Sequence, residues 1–72
     1  MTKINKTAAR KLWNEGKEFT IVACNLRPEY GIIVRPSWAK NYRDFDQFVN
    51  QFTVYNCGNN EAGRYPAYYV ED

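Results

Sequence analysis

Polar and apolar positions change period several times along this chain. Across residues 4–17, Ala8, Ala9, Leu12 and Trp13 recur at the spacing of one helix face. Asn5 stands where an N-cap belongs, with Ile4 before it and Ala9 after it at the positions of a hydrophobic staple. Gly16 supplies the left-handed residue that closes a helix. The pattern predicts a helix over 4–17. The period then falls to two in "EFTIVAC", residues 18–24, where β-branched and aromatic side chains suit a pleated surface. Phe19, Ile21 and Ala23 line one face of that strand; Thr20, Val22 and Cys24 line the other. Neither set is strongly polar, so both faces are expected to be partly covered. "NLRPEYG" interrupts the pattern with Pro28 and Gly31 and reads as a loop. "GIIVR" resumes strand character until Pro36, and the two strands read as an antiparallel hairpin.

"PSWAKNY" reads as irregular chain or one helical turn. In "RDFDQFVNQF", Phe45, Phe48, Val49 and Phe52 fall at i, i+3, i+4 and i+7, the stripe of an amphipathic helix. Asp44 and Asp46 occupy its first turn, where the helix dipole favours negative charge, and Asn41 or Asp44 is the expected cap. Residues 53–57 and 65–70 then read as two strands of a hairpin, with the "CGNNEAG" stretch between them carrying turn chemistry. The expected order is α-β-β-α-β-β. It implies an α+β fold, a single domain over 1–72, with a four-stranded, mainly antiparallel sheet and two helices packed on one face. Leu12, Trp13, Ile21, Ile32, Val34, Phe45, Phe48, Val49 and Phe52 are the expected core.

Composition narrows the functional classes. The chain has 72 residues, of which 17% are aromatic, so large rings can fill a core without metal or disulfide support. Net charge is only +2, too mild for the concentrated basic face of a typical nucleic-acid binder. Lys3, Lys6, Arg10, Lys11 and Lys17 gather in the first seventeen residues, which a solvated helix surface explains well. No apolar run approaches the roughly 20 residues of a membrane span, and no signal-peptide pattern is present. Cys24 and Cys57 match no metal spacing and are expected as half-buried thiols in a reducing cytoplasm.

Catalytic equipment is scarce. There is no histidine, which removes the commonest general base, nucleophile partner and zinc ligand. Asp44 and Asp46, two apart on a helix, diverge by about 200° and make no carboxylate pair. "GNNEAG" lacks the order and the lysine of a phosphate loop. No catalytic residue, cofactor or metal is expected, and the chain does not read as an enzyme.

Two binding surfaces remain. The stretch 35–43, "RPSWAKNYR", is rich in the residue types that anchor protein interfaces. Arg35, Trp38, Tyr42 and Arg43 are its candidate contacts with an unidentified protein partner. The rival is a weak single-stranded nucleic-acid binder, with Arg64, Tyr65, Tyr68 and Tyr69 as candidates, since exposed rings beside arginines stack on bases. "GRYPAYYV" faintly follows the aromatic strand signature of RNA-recognition sheets, but Pro66 stands where glycine is wanted. The expected element order also differs from the β-α-β-β-α-β of those domains. In either case the plainer alternative is that these rings pack the core and hydrogen-bond at their rims.

"KLWNEGKEFTIVACNLRP" and "DFDQFVNQFTVYNCGNNEAGRYPAYYV" together resemble short proteins of unassigned role carried by bacteriophages and mobile elements of Gram-positive bacteria. The likeness rests on N-E-G-K after the first helix and on Y-N-C followed by G-R-Y and Y-Y. It brings no catalytic residues with it. It implies an accessory protein that acts by binding a host protein or nucleic acid.

Overall fold

The computed structural model describes residues 1–23, 26–57 and 65–71. In chain order these form β1 (Thr2–Ile4), α1 (Lys6–Asn14), β2 (Phe19–Val22), β3 (Ile32–Val34), α2 (Phe45–Cys57) and β4 (Ala67–Val70). Two 3-10 segments, Pro28–Tyr30 and Pro36–Asn41, lie on either side of β3. The fold is α+β, with a four-stranded antiparallel sheet in the order β1-β4-β2-β3 and two helices. Among the described strands only β2 and β3 form a hairpin. Each helix links two strands that run the same way with an antiparallel strand lodged between them, so the chain builds two split β-α-β units.

Local chemistry sets the limits of α1. Asn5 Oδ1 accepts from the Ala8 N–H at 2.8 Å, which caps the first turn. At the other end the Gly16 N–H donates to Trp13 O at 3.2 Å and the Lys17 N–H to Leu12 O at 2.9 Å. That pair of bonds is a Schellman closure, and it needs the left-handed Gly16, whose φ is 71°. The helix is therefore shorter than the expected span over 4–17, because Ile4 belongs to β1 and Asn5 is the junction. Three residues are too few to show a period, which is why β1 left no pattern of its own.

A larger difference concerns residues 53–57. They continue α2 and form no strand. Thr53 and Cys57 follow Val49 at four-residue intervals, and all three are buried. The Thr53 hydroxyl donates to Val49 O at 2.7 Å, and Asn56 Nδ2 donates to Phe52 O at 3.0 Å. Packing of that stripe overrides the mild strand preference of Thr, Val and Tyr. Asp44 is the cap, accepting from the Gln47 N–H at 2.8 Å, while the Gln47 side chain reaches back to the Arg43 N–H. The observed order is thus β-α-β-β-α-β. The expected hairpin of 53–57 with 65–70 is replaced by pairing of β4 with β1 and β2. Residues 58–64, which hold its expected turn, and Cys24 lie outside the described residues.

One face of the sheet carries the core. Ala9 and Trp13 of α1, with Phe45, Phe48, Val49 and Phe52 of α2, pack on Phe19, Ile21, Val34 and Tyr68. Phe48 is the hub. Its ring stacks on Trp13 at 5.0 Å and meets Tyr42 at 5.2 Å, Trp38 at 6.1 Å and Phe52 at 6.2 Å. Arg10 ties the two helices together, with its guanidinium 2.9 Å from Asp46 Oδ1 and over the Phe45 ring. Ile32 does not join the core as expected. It is 44% exposed, because β3 is the outermost strand and the helices do not reach over that residue.

The opposite face is covered in part, as the sequence suggested. Thr20 and Val22 point away from the helices yet are buried. The Pro28–Tyr30 segment lies against β2 there. Gly31 comes so close that a Cβ on it would lie 2.4 Å from Thr20 Cγ2 and 2.9 Å from Val22 Cγ2. Glycine is needed at that position for close approach, not for an unusual φ.

Candidate functional site

The register places one row of side chains across the outer face of the sheet: Lys3, Tyr69, Thr20 and Ile33. Tyr69 is half-buried between its neighbours, and Lys3 and Ile33 are exposed. Charges around this face are mixed. Arg35 Nη1 lies 3.4 Å from Glu18 Oε2 just beyond the paired ends of β2 and β3. An open depression of about 240 Å³ is lined by Glu18, Thr20, Ile33 and Glu71 among others.

The two edges of the sheet differ. At β1 the outward residue is Lys3, and a charged side chain is one way an edge resists pairing with another chain. At β3 the exposed residues are Ile32, at 44%, and Ile33, at 42%, one on each face of the strand. Tyr30, 67% exposed, precedes them. The β3 edge thus carries exposed apolar side chains on both faces and no lysine.

The expected protein-contact residues separate into two kinds. Trp38 sits in the Pro36–Asn41 segment, half-buried, with its ring edge-on to Phe48. Tyr42 is also half-buried and packs edge-on against Trp13 and Phe48. Both rings therefore seal the rim of the core. Arg35 and Arg43 are exposed; Arg43 Nε lies 3.4 Å from Asp44 Oδ2. The backbone N–H of Gln47, and after it the Arg43 charge, holds the Asp44 carboxyl below its ordinary value. Of the four, Arg35 alone flanks the β3 edge.

The tyrosine set divides as well. Tyr68 is a core residue, 5% exposed, and burial pushes its hydroxyl up to about 12. It is not available to stack on a base. Tyr65 is exposed, Tyr69 lies in the middle of the outer face, and Arg64 falls outside the described residues. Tyr55, expected opposite β4, projects from α2 at 82% exposure. A hollow of about 450 Å³ between β1, the start of α1 and β4 has Lys3, Lys6 and Tyr65 in its wall.

The β3 edge was missed because "GIIV" reads equally well as an inner strand. Two isoleucines in succession put apolar groups on both faces, and which strand lies outermost is a matter of topology. Compared with protein-family models, curated proteins and solved structures, the chain matches none. Among the described residues no helix is long and apolar enough to cross a membrane.

Proposed function

We propose that this chain is a non-catalytic protein-interaction module that binds through the β3 edge of its sheet. The observation that carries the reading is the exposed run Tyr30, Ile32 and Ile33 on an outermost strand, beside Arg35. Strand addition fits such an edge: main-chain hydrogen bonds supply affinity, and side chains on alternate faces supply selectivity. Arg35 serves as a contact, while Trp38 and Tyr42 pack on Phe48 at the rim of the core. The absence of histidine from the chain supports a non-catalytic role. The resemblance to accessory proteins of bacteriophages and mobile elements supports a host protein in the cytoplasm as the partner.

The test uses the folded chain as bait in a bacterial lysate. Ile33→Lys should abolish capture of a specific protein, and Tyr55→Ala should leave it intact. Capture that survives Ile33→Lys with the fold unchanged sinks the proposal. A second reading, single-stranded nucleic-acid binding, is favoured by the β-α-β-β-α-β order and by Tyr69 beside Lys3 on the outer face. Against it stand Glu18 and Glu71 on the same face. It requires oligonucleotide binding that weakens steeply with salt as counterions are released. No binding at low salt removes it.

A further inference from the structure

We infer that the strand which fits the β3 edge is a second copy of β3, so that two chains join into one eight-stranded sheet. This rests on the proposed use of that edge: a second copy covers it in the free chain, and a host protein's strand displaces that copy. The argument is self-complementarity. A two-fold axis normal to the sheet at Ile33 pairs the strands antiparallel, with Ile33 opposite the partner's Ile33 on the outer face. Ile32 then lies opposite the partner's Val34 on the helix face, and Gly31 opposite the partner's Arg35. Every apolar residue of the strand meets an apolar one, and the long Arg35 meets the residue with no side chain. Like charges are not opposed at any paired position. Cross-strand pairs of this kind are what stabilise a sheet, and an isologous contact closes as a dimer without further growth.

Charge is complementary in the same register. Arg35 follows β3, 3.4 Å from Glu18, and Glu29 precedes it beside Arg27 within the Pro28–Tyr30 segment; an antiparallel copy brings Arg35 of each edge toward the partner's Glu29. Glu29 has only a loose contact with Arg27 at 4.0 Å, and both side chains are largely exposed. Pro36 has no N–H to donate, which limits the pairing to residues 31–35. The β1 edge offers no equivalent contact, since Lys3 would be brought against the partner's Lys3 under the same operation.

A contact this short falls at the small end of protein interfaces, so the dimer is weak and exchanges quickly. Sedimentation and amide spectra should be recorded from roughly 20 µM to 1 mM, which spans dissociation constants typical of a weak complex. The amides of Ile32, Ile33 and Val34 should shift with concentration, and those of Val54 and Tyr55 should not. Ile33→Lys, on a side chain already exposed, puts two like charges face to face and should weaken the dimer by about tenfold or more. Arg35→Glu alone and Glu29→Arg alone should each weaken self-association, and mixing the two variants should restore it as a heterodimer. No concentration dependence at 1 mM overturns the inference, as does a shift confined to other residues or the failure of the mixed pair to recover. If the chain stays monomeric while capture of another protein still depends on Ile33, only the second-copy occupant falls. If neither self-association nor capture depends on Ile33, the proposed function falls with it.

Discussion

Phe48 tests the packing on which the rest of the molecule depends. It is 3% exposed and meets four other rings, two of them within about 5 Å of its centre. Truncating a buried phenylalanine to alanine costs about 3–5 kcal/mol. A domain of 72 residues holds roughly 4–11 kcal/mol in total, at about 0.05–0.15 kcal/mol per residue. Phe48→Ala should therefore bring the chain close to unfolding at 25 °C. Phe48→Leu keeps most of the volume and loses mainly the two close ring pairs, each worth about 0.5–1.5 kcal/mol beyond area, so its cost should be about 1–3 kcal/mol. Tyr55→Ala, on the exposed side of the same helix, should stay within about 0.5 kcal/mol of wild type. Urea unfolding followed by tryptophan emission reads all three, because Trp13 and Trp38 both rest on Phe48. The slope of free energy against urea should be unchanged in the leucine variant. A leucine variant indistinguishable from Tyr55→Ala, with that slope intact, would refute the view that this ring cluster holds the helices to the sheet.

Gly31→Ala forces a methyl group against Thr20 and Val22 and should cost about 1–3 kcal/mol, seen as a lower melting temperature. Gly16→Ala places a Cβ at φ 71° and should cost about 1–2 kcal/mol, whereas Gly16→Asn should cost less. Asp44→Ala removes the bond to the Gln47 N–H and should lower the melting temperature in the same melts. Tyr68 gives a pH signature. Its hydroxyl titrates near 10 in the unfolded chain and at about 12 when folded, so its contribution is intact below pH 10. Between pH 10 and 12 the unfolded chain loses the proton first, and stability falls. Urea midpoints across that range should decline less steeply in Tyr68→Phe than in wild type; an identical decline would show the hydroxyl to be solvated.

Much of this architecture was written in the periodicity. The Phe45, Phe48, Val49 and Phe52 stripe located α2, Asn5 and Gly16 marked both ends of α1, and the β2–β3 hairpin followed from the Pro28 to Gly31 interruption. These signals are local, carried by side chains whose spacing or backbone preference acts within a few residues. The binding edge was not legible, because exposure of Ile32 and Ile33 depends on which strand lies outermost, and that is decided by elements far away in sequence. Trp38 and Tyr42 were ambiguous for a related reason. An aromatic residue in irregular chain can anchor a partner or close a core, and only the position of Phe48 beneath them decides between the two.

The two errors in element order are one error. A strand has two edges, and β2 takes one edge of β4. Reading residues 53–57 as a strand assigned them the other edge, which left Thr2–Ile4 with nowhere to pair. Once Thr53 and Cys57 follow Val49 into the helical stripe, that edge is vacant, and β1 fills it antiparallel, with Lys3 against Tyr69. The extension of α2 thus moves the covered edge of the sheet to the β1 side and guards it with a lysine. The opposite margin is β3, with Ile32 and Ile33 exposed and Pro36 cutting the strand short. The β3 margin lies on the other side of β2, so lengthening α2 decides which segment covers β4 and leaves β3 outermost either way. Helix-breaking substitutions within residues 53–57, such as Val54→Pro on an exposed position, should disturb the β1–β4 pairing before they disturb β2–β3. Amide exchange would show this as early loss of protection among the β1 amides, Thr2 to Ile4, with those of β3, Ile32 to Val34, still protected; equal loss in both would uncouple the helix length from the β1–β4 pairing.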